Sequence, residues 1–304
     1  MNFKRQVYRI ISAIRYPKRI LLWFWKHTSF MYSDKVYLKG MYWLQLGKRL
    51  DLKNPQTFTA KLQWLKLYDR KPLYTQIVDK YAVKKYVANI IGEKYIIPTL
   101  GVWDSVDQID YSVLPNQFVL KTTHGGGGAG VAICRDKKTF DIQKSNSILQ
   151  HSMAIDLYKL LREWPYKNVP KRIIAEKYME DESGELRDYK FYCFSGEPKA
   201  MVLASNRFTN HNFNYFDMDF NKLPITSAVG TQAAEEFKKP AEFDEMKEIA
   251  KQLSKGFPHV RVDLYCCNHQ VYFGELTFFD ASGYDDMSSK EWDLKFGSWI
   301  KLPR

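Results

Sequence analysis

The chain has 304 residues, 45% hydrophobic and 26% charged, a globular composition that excludes a disordered polymer and leaves room for a large core. Its net charge of +12 is uneven: residues 1–90 hold 19 of the 46 Lys and Arg but four of the 34 Asp and Glu, a surplus of +15, and the remainder is −3. The basic third therefore fits an acidic partner (a membrane surface, a nucleic acid or a polyanionic substrate), while four cysteines without a CxxC pair exclude a zinc ribbon and a disulfide framework.

Residues 1–50 read as a basic helical segment. Val7, Ile10, Ile11 and Ile14 recur at helical spacing with Arg5, Arg9 and Arg15 between them, and Pro17 breaks the run. Ile20 to Trp25 then gives six apolar residues, far short of the roughly 20 that span a bilayer. Two readings stand for residues 1–27. Cations beside Trp and Phe suit a helix lying on an anionic membrane; a pair of helices docked on the body, with solvated arginines, suits the same pattern. No motif that reads RNA or DNA is present. Reduced cysteines and the lack of a signal-peptide pattern point to the cytoplasm, with peripheral attachment at the inner membrane face.

From residue 51 onward, helices and strands alternate. NPQTFTAKLQWLKLY (54–68) reads as a helix with Asn54 at the N-cap and Pro55 at its first position. DKYAVKKYVANI (79–90) reads as a second helix opened by Asp79 and Lys80. GEKYIIP gives a turn and a short strand ending at Pro98. Residues 144–162 look helical, and RIIAEKYM (172–179), DYKFYCF (188–194) and PKAMVLAS (198–205) read as strands. FDEMKEIAKQLSKG (243–256) is a helix closed by Gly256, and residues 259–279 form a hairpin turning at Asn268-His269. The late antiparallel hairpins make this an α+β architecture.

Three stretches carry chemistry. FVLKTTHGGGGAGVAICRDK (118–137) is a strand, four glycines and a second strand. Gly125, Gly126, Gly127 and Gly128 carry no Cβ, so successive N–H groups can close over an anion, phosphate above all. No Gly-Lys-Ser/Thr follows, which excludes a Walker A loop, and a plain flexible hairpin is the other reading. Lys121 can supply charge to a phosphate. His124 can serve as donor or general base, or simply order the loop. In RVDLYCCNHQVYFGELT, alternation places Arg261, Asp263 and Tyr265 on one face, and Phe273, Glu275 and Thr277 on one face of the partner strand. Asp263 and Glu275 then meet, and a hard divalent cation such as Mg2+, shared with phosphates, would compensate them. An Arg–Asp surface ion pair is the bland alternative. Glu176 ends an apolar strand where an adenine edge can be read. Asp188 can accept from a ribose hydroxyl and Lys190 can meet a phosphate.

In this order the pieces resemble the ATP-grasp superfamily, and more closely the TupA-like ATP-grasp family of bacterial polysaccharide biosynthesis. NPQTFTAKLQWLKLYDR, DKYAVKKYV, LPNQFVLKTTHGGGG, EWPYKN, RIIAEKY, DYKFYCFSG and RVDLY with VYFGELTF carry the likeness over about residues 50–303. The resemblance implies two α+β lobes clasping MgATP. Lys80 and Lys121 would bind phosphates, and Gly125 to Gly128 would cover them. Glu176 and Tyr178 would bracket adenine, Asp263 and Glu275 would hold Mg2+, and Arg261 would stabilise the transferring phosphoryl group. Thr277 stands where such ligases usually carry Asn. The implied reaction joins an amine or amino acid to a carboxylated sugar through an acyl phosphate, on a carbohydrate or lipid-linked glycan. A glycosyltransferase using a nucleotide-sugar donor is the alternative, and a nucleotide-sensing scaffold a third, disfavoured by the charges retained.

Overall fold

The computed structural model describes residues 17–126, 128, 130–182, 184–206, 211–226, 231–233 and 236–303. The helix read over Val7–Ile14, and Gly127 of the glycine run, lie outside them.

Two helices, α1 (Pro17–His27) and α2 (Asp34–Leu46), precede the body. The Ser33 hydroxyl caps α2, and Gly47 at φ +68° ends it. α3 (Phe58–Tyr68) starts later than the Asn54 cap predicted. Asn54 instead gives its N–H to the Asp51 carboxylate at 3.2 Å, in a turn, and the Thr57 hydroxyl takes the Ala60 N–H at 3.2 Å and caps the helix. α4 (Pro72–Val78) and α5 (Ala82–Ile91) follow. The strand expected before Pro98 is a 3-10 turn at Glu93–Tyr95, and β1 (Thr99–Trp103) begins after the proline, which has no N–H to give a ladder.

β1 joins β2 (Phe118–Thr122), β3 (Val131–Cys134) and β4 (Ile173–Lys177) in an antiparallel sheet of order β1-β4-β2-β3. The helix predicted over 144–162 is two, α6 (Ile142–Ala154) and α7 (Leu157–Leu161), because Asp156 takes the Lys159 N–H at 3.0 Å and starts a new helix. Phe118 and Leu120 of β2 pack with Ile173 and Ala175 of β4 and Leu149 of α6 in a small core. Alternation along β2 leaves Lys121 on the opposite face.

The second sheet is larger: β5 (Asp188–Phe194), β6 (Glu197–Ser205), β7 (Asn212–Phe216), β8 (His259–Cys267) and β9 (Gln270–Thr277), in the antiparallel order β7-β6-β5-β8-β9. α8 (Phe243–Ser254) buries Phe243, Met246, Ile249 and Leu253 against it, and α9 (Lys290–Trp299) packs on α3 around Phe58 and Phe296. The β8–β9 turn falls at Asn268 and His269, both at positive φ, as the Asn-His pair predicts. Two sheets, each with its own core, give the α+β arrangement.

Residues 34–52 are docked on this body. Leu38, Tyr42, Leu50 and Leu52 pack with Ala60 of α3, and Asp34 pairs with Arg70 at 2.6 Å and Arg162 at 3.0 Å. Among the described residues, no helix is long and apolar enough to cross a membrane.

Candidate functional site

Lys80 lies in the turn before α5 rather than on the helix. The Asp79 carboxylate accepts the Tyr81 and Ala82 N–H groups at 2.9 and 3.2 Å, starting the helix, and holds Arg172 at 2.6 Å. The Lys80 N–H donates to the Thr123 carbonyl at 3.0 Å, which ties this turn to the end of β2. From there the Lys80 ammonium reaches Glu275 of β9 at 2.9 Å. The glycine-loop sheet and the acidic hairpin are thereby joined by one ion pair.

Asp263 and Glu275 are direct partners across β8 and β9. Just beyond them the register slips by one residue at Gly274. A Cβ there would lie 2.9 Å from the Tyr265 ring and 3.0 Å from the Asp263 carbonyl, so the bulge needs glycine. The slip pairs Phe273 with Leu264 in the core. Phe273 therefore faces away from Glu275 and Thr277, against the simple alternation expected.

Arg261 sits at the centre. Its Nε and Nη2 donate to the two Asp263 oxygens at 2.7 Å each, and its Nη1 pairs with Asp280. Nη2 also lies 3.4 Å from Glu275 Oε1 and 3.3 Å from Thr277 Oγ1. Lys190 bridges Asp263 at 2.6 Å and Asp188 at 3.1 Å, and the Tyr192 hydroxyl donates to Asp280 at 2.6 Å. Burial works against the Arg261 charge, but Asp263 and Asp280 more than offset it and push the guanidinium above its ordinary value. Burial opposes the Lys190 charge too, yet Asp188 and Asp263 hold that ammonium above its usual range. The Lys80 ammonium, with Lys190 and Arg261, holds Glu275 well below the usual carboxylate range.

Glu176 forms a second ionic centre. Its side chain is buried, with Lys84 and Lys121 each at 2.6 Å. Burial alone would raise this carboxyl; the two ammonium groups overcome it and hold the value at about 2. Both oxygens thus lie against cations, which leaves the backbone after Glu176 as the part of this strand end that could read an adenine edge. Tyr178 lies past the end of β4 and donates to Glu180 at 2.9 Å.

The glycine loop returns tightly. The Gly125 N–H donates to the Thr122 carbonyl at 3.3 Å. Gly130, at φ +71°, leaves no space for a Cβ between Ser152 and Thr122. His124 is buried beneath the loop, with Nε2 at 3.1 Å from the Ser152 carbonyl. Burial lowers its pKa. The ring ties the loop to α6, the loop-ordering role that the sequence also allows it.

Lys84 and Asp280 were missed in the sequence. Lys84 carried a faint signal, one helical turn after Lys80. Asp280 carried none, since it lies in the loop beyond the hairpin.

Of the three residues expected to hold Mg2+, Glu275 and Thr277 are placed to share it with phosphates, whereas Asp263 is enclosed by cations. Among the described residues, no three His, Cys, Asp or Glu side chains gather as a closed cage. Glu275 and Thr277 offer hard oxygens at the edge of the cluster, the Glu275 side chain being 38% exposed. The Asp263 side chain is 1% exposed and lies between Arg261 and Lys190. Such a partial set, completed by ligand oxygens, is how Mg2+ is usually held.

The family model described as TupA-like ATP-grasp matches residues 60–301. The D-alanine–D-alanine ligase of Helicobacter pylori is similar at 14% identity and TM-score 0.42, over 81% of this chain and 69% of that one. The Bacillus anthracis D-alanine–D-alanine ligase complexed with ATP is similar at 15% and 0.40, over 73% and 65%. D-cycloserine synthetase DcsG is similar at 17% and 0.41, over 75% and 71%. No curated protein matches.

Proposed function

The chain belongs to the TupA-like ATP-grasp family, and from that premise we propose that it is an ATP-dependent ligase that joins an amine or amino acid to a carboxylated sugar through an acyl phosphate. The observation that carries this reading is the Lys80–Glu275 pair, which brings a phosphate-type cation and a metal-type carboxylate into one cluster with Arg261. Lys80 and Lys121 supply fixed positive charge for a triphosphate, and the glycine loop supplies N–H donors above it. Glu275 and Thr277 are the oxygens that would hold Mg2+, whose charge would offset that of the phosphates, while Asp263 fixes Arg261 and Lys190 beside them. Arg261, locked in place by Asp263 and Asp280, presents a preorganised charge where the phosphoryl group transfers from ATP to the sugar carboxylate. The amine then attacks the acyl carbon, and phosphate leaves.

The acceptor belongs to a bacterial surface polysaccharide or its lipid-linked precursor, handled at the inner face of the cytoplasmic membrane. A melting-temperature panel tests the donor. MgATP at 100 times its dissociation constant should add about 2.7 kcal/mol of stability, followed by ADP release that requires both an amine and a uronic acid. Stabilisation by a UDP-, GDP- or CMP-sugar, without response to ATP, would replace this reading with a glycosyltransferase.

A further inference from the structure

A second cationic site lies away from the nucleotide cluster. Lys35 and Lys39 of α2 line a cavity of about 450 Å³ with Arg49, Lys53, Asp51 and Tyr68. Four cations there face one carboxylate, and Asp51 already accepts the Lys53 and Asn54 N–H groups at 2.8 and 3.2 Å. Among the described residues, nearby ion pairs use Lys48 with Asp286 and Arg70 with Asp34, and none uses the four cavity cations.

The helix that carries Lys35 and Lys39, and the segment before it, also expose apolar side chains. Lys35, Lys39 and Trp43 stand at i, i+4 and i+8 on one stripe of α2. Trp43 is 50% exposed, and Val36, two turns before it, is similarly open. The turn before α2 presents Phe30 at 82% and Met31 at 66%. On α1, Trp25 points inward: it stacks on Tyr32, donates to the Tyr37 carbonyl at 3.2 Å and fills the space above Gly40. That anchoring leaves Ile20, Leu21, Trp23 and Phe24 outside, Trp23 at 60%. A patch of this kind marks an interface.

We propose that this face docks on an anionic phospholipid bilayer. Trp23, Phe24 and Phe30 enter the boundary between headgroups and acyl chains, and the Lys35–Lys39 cavity receives lipid phosphates. Charge selects this occupant. Residues 17–53 hold eight Lys and Arg against two Asp, so a second copy of the face would be repelled, while apolar rings and cations together match a surface that is acidic outside and oily beneath. This assignment does not rest on the ligase reading.

Co-sedimentation of the full chain with mixed phosphatidylglycerol–phosphatidylcholine vesicles, against phosphatidylcholine alone, tests it. Binding should require phosphatidylglycerol and weaken with added salt. About 1 kcal/mol per basic residue corresponds to roughly five-fold each, so Lys35→Gln with Lys39→Gln should weaken partition about 25-fold. Trp23→Ser with Phe30→Ser should weaken it independently, and the MgATP-induced melting shift should be unchanged in both variants. Equal binding to both vesicle types, wild-type partition by both variants, or capture only by an acidic protein would overturn the assignment.

Discussion

Replacing Glu176 by Gln removes one charge from a buried group that two lysines share. The carboxyl is held at about 2 against a usual value of 4.5. At about 1.36 kcal/mol per unit, that difference contributes about 3 kcal/mol at neutral pH. The same order follows from breaking a buried ion pair, roughly 3–5 kcal/mol, reduced here because the Lys121 side chain is 24% exposed. The folded pKa is depressed, so the contribution is complete above 4.5 and is lost as pH falls toward 2. Urea unfolding of wild type and Glu176→Gln at pH 7 should differ by about 3 kcal/mol, and at pH 3 by about half of that. A difference that stays constant across this range, or one below about 1 kcal/mol at pH 7, would refute the view of Glu176 as an ionic hub.

Two further outcomes follow from the acidic hairpin. Glu275→Gln removes the partner of Lys80 and the open oxygen ligand; ADP release should vanish while unfolding stays cooperative, and near-normal turnover would remove Glu275 from the site. Gly274→Ala forces a methyl against the Tyr265 ring and the Asp263 carbonyl. It should cost about 1–3 kcal/mol in urea unfolding and lower turnover more than melting temperature, because the bulge sets the Asp263–Glu275 pair.

Much of the frame was written locally. β5 runs Asp188–Phe194 as its pattern predicts, and the β8–β9 turn falls on Asn268-His269 because two adjacent residues must accept positive φ. The glycine loop lies between two antiparallel strands as read, since four residues without Cβ can form neither a strand nor a helix cheaply. Caps were less legible. Asn54 and Thr57 are both good N-cap residues, and the choice fell to Thr57, whose hydroxyl takes the Ala60 N–H, while the Asn54 side-chain oxygen accepts from the Gln56 amide instead.

What the sequence by itself determined was the alternation of strands and helices, the family, and which charged residues stand at strand positions. Only the tertiary structure decided their partners. Lys84 meets Glu176, Lys80 meets Glu275, and Asp280 closes on Arg261, each across elements distant in the chain. Periodicity fixes the face a side chain takes within one element; it holds no information about which element lies opposite. One glycine at position 274 shows the limit most plainly, because its bulge reverses the alternation for Phe273, and a close contact with Tyr265 and Asp263 is the reason.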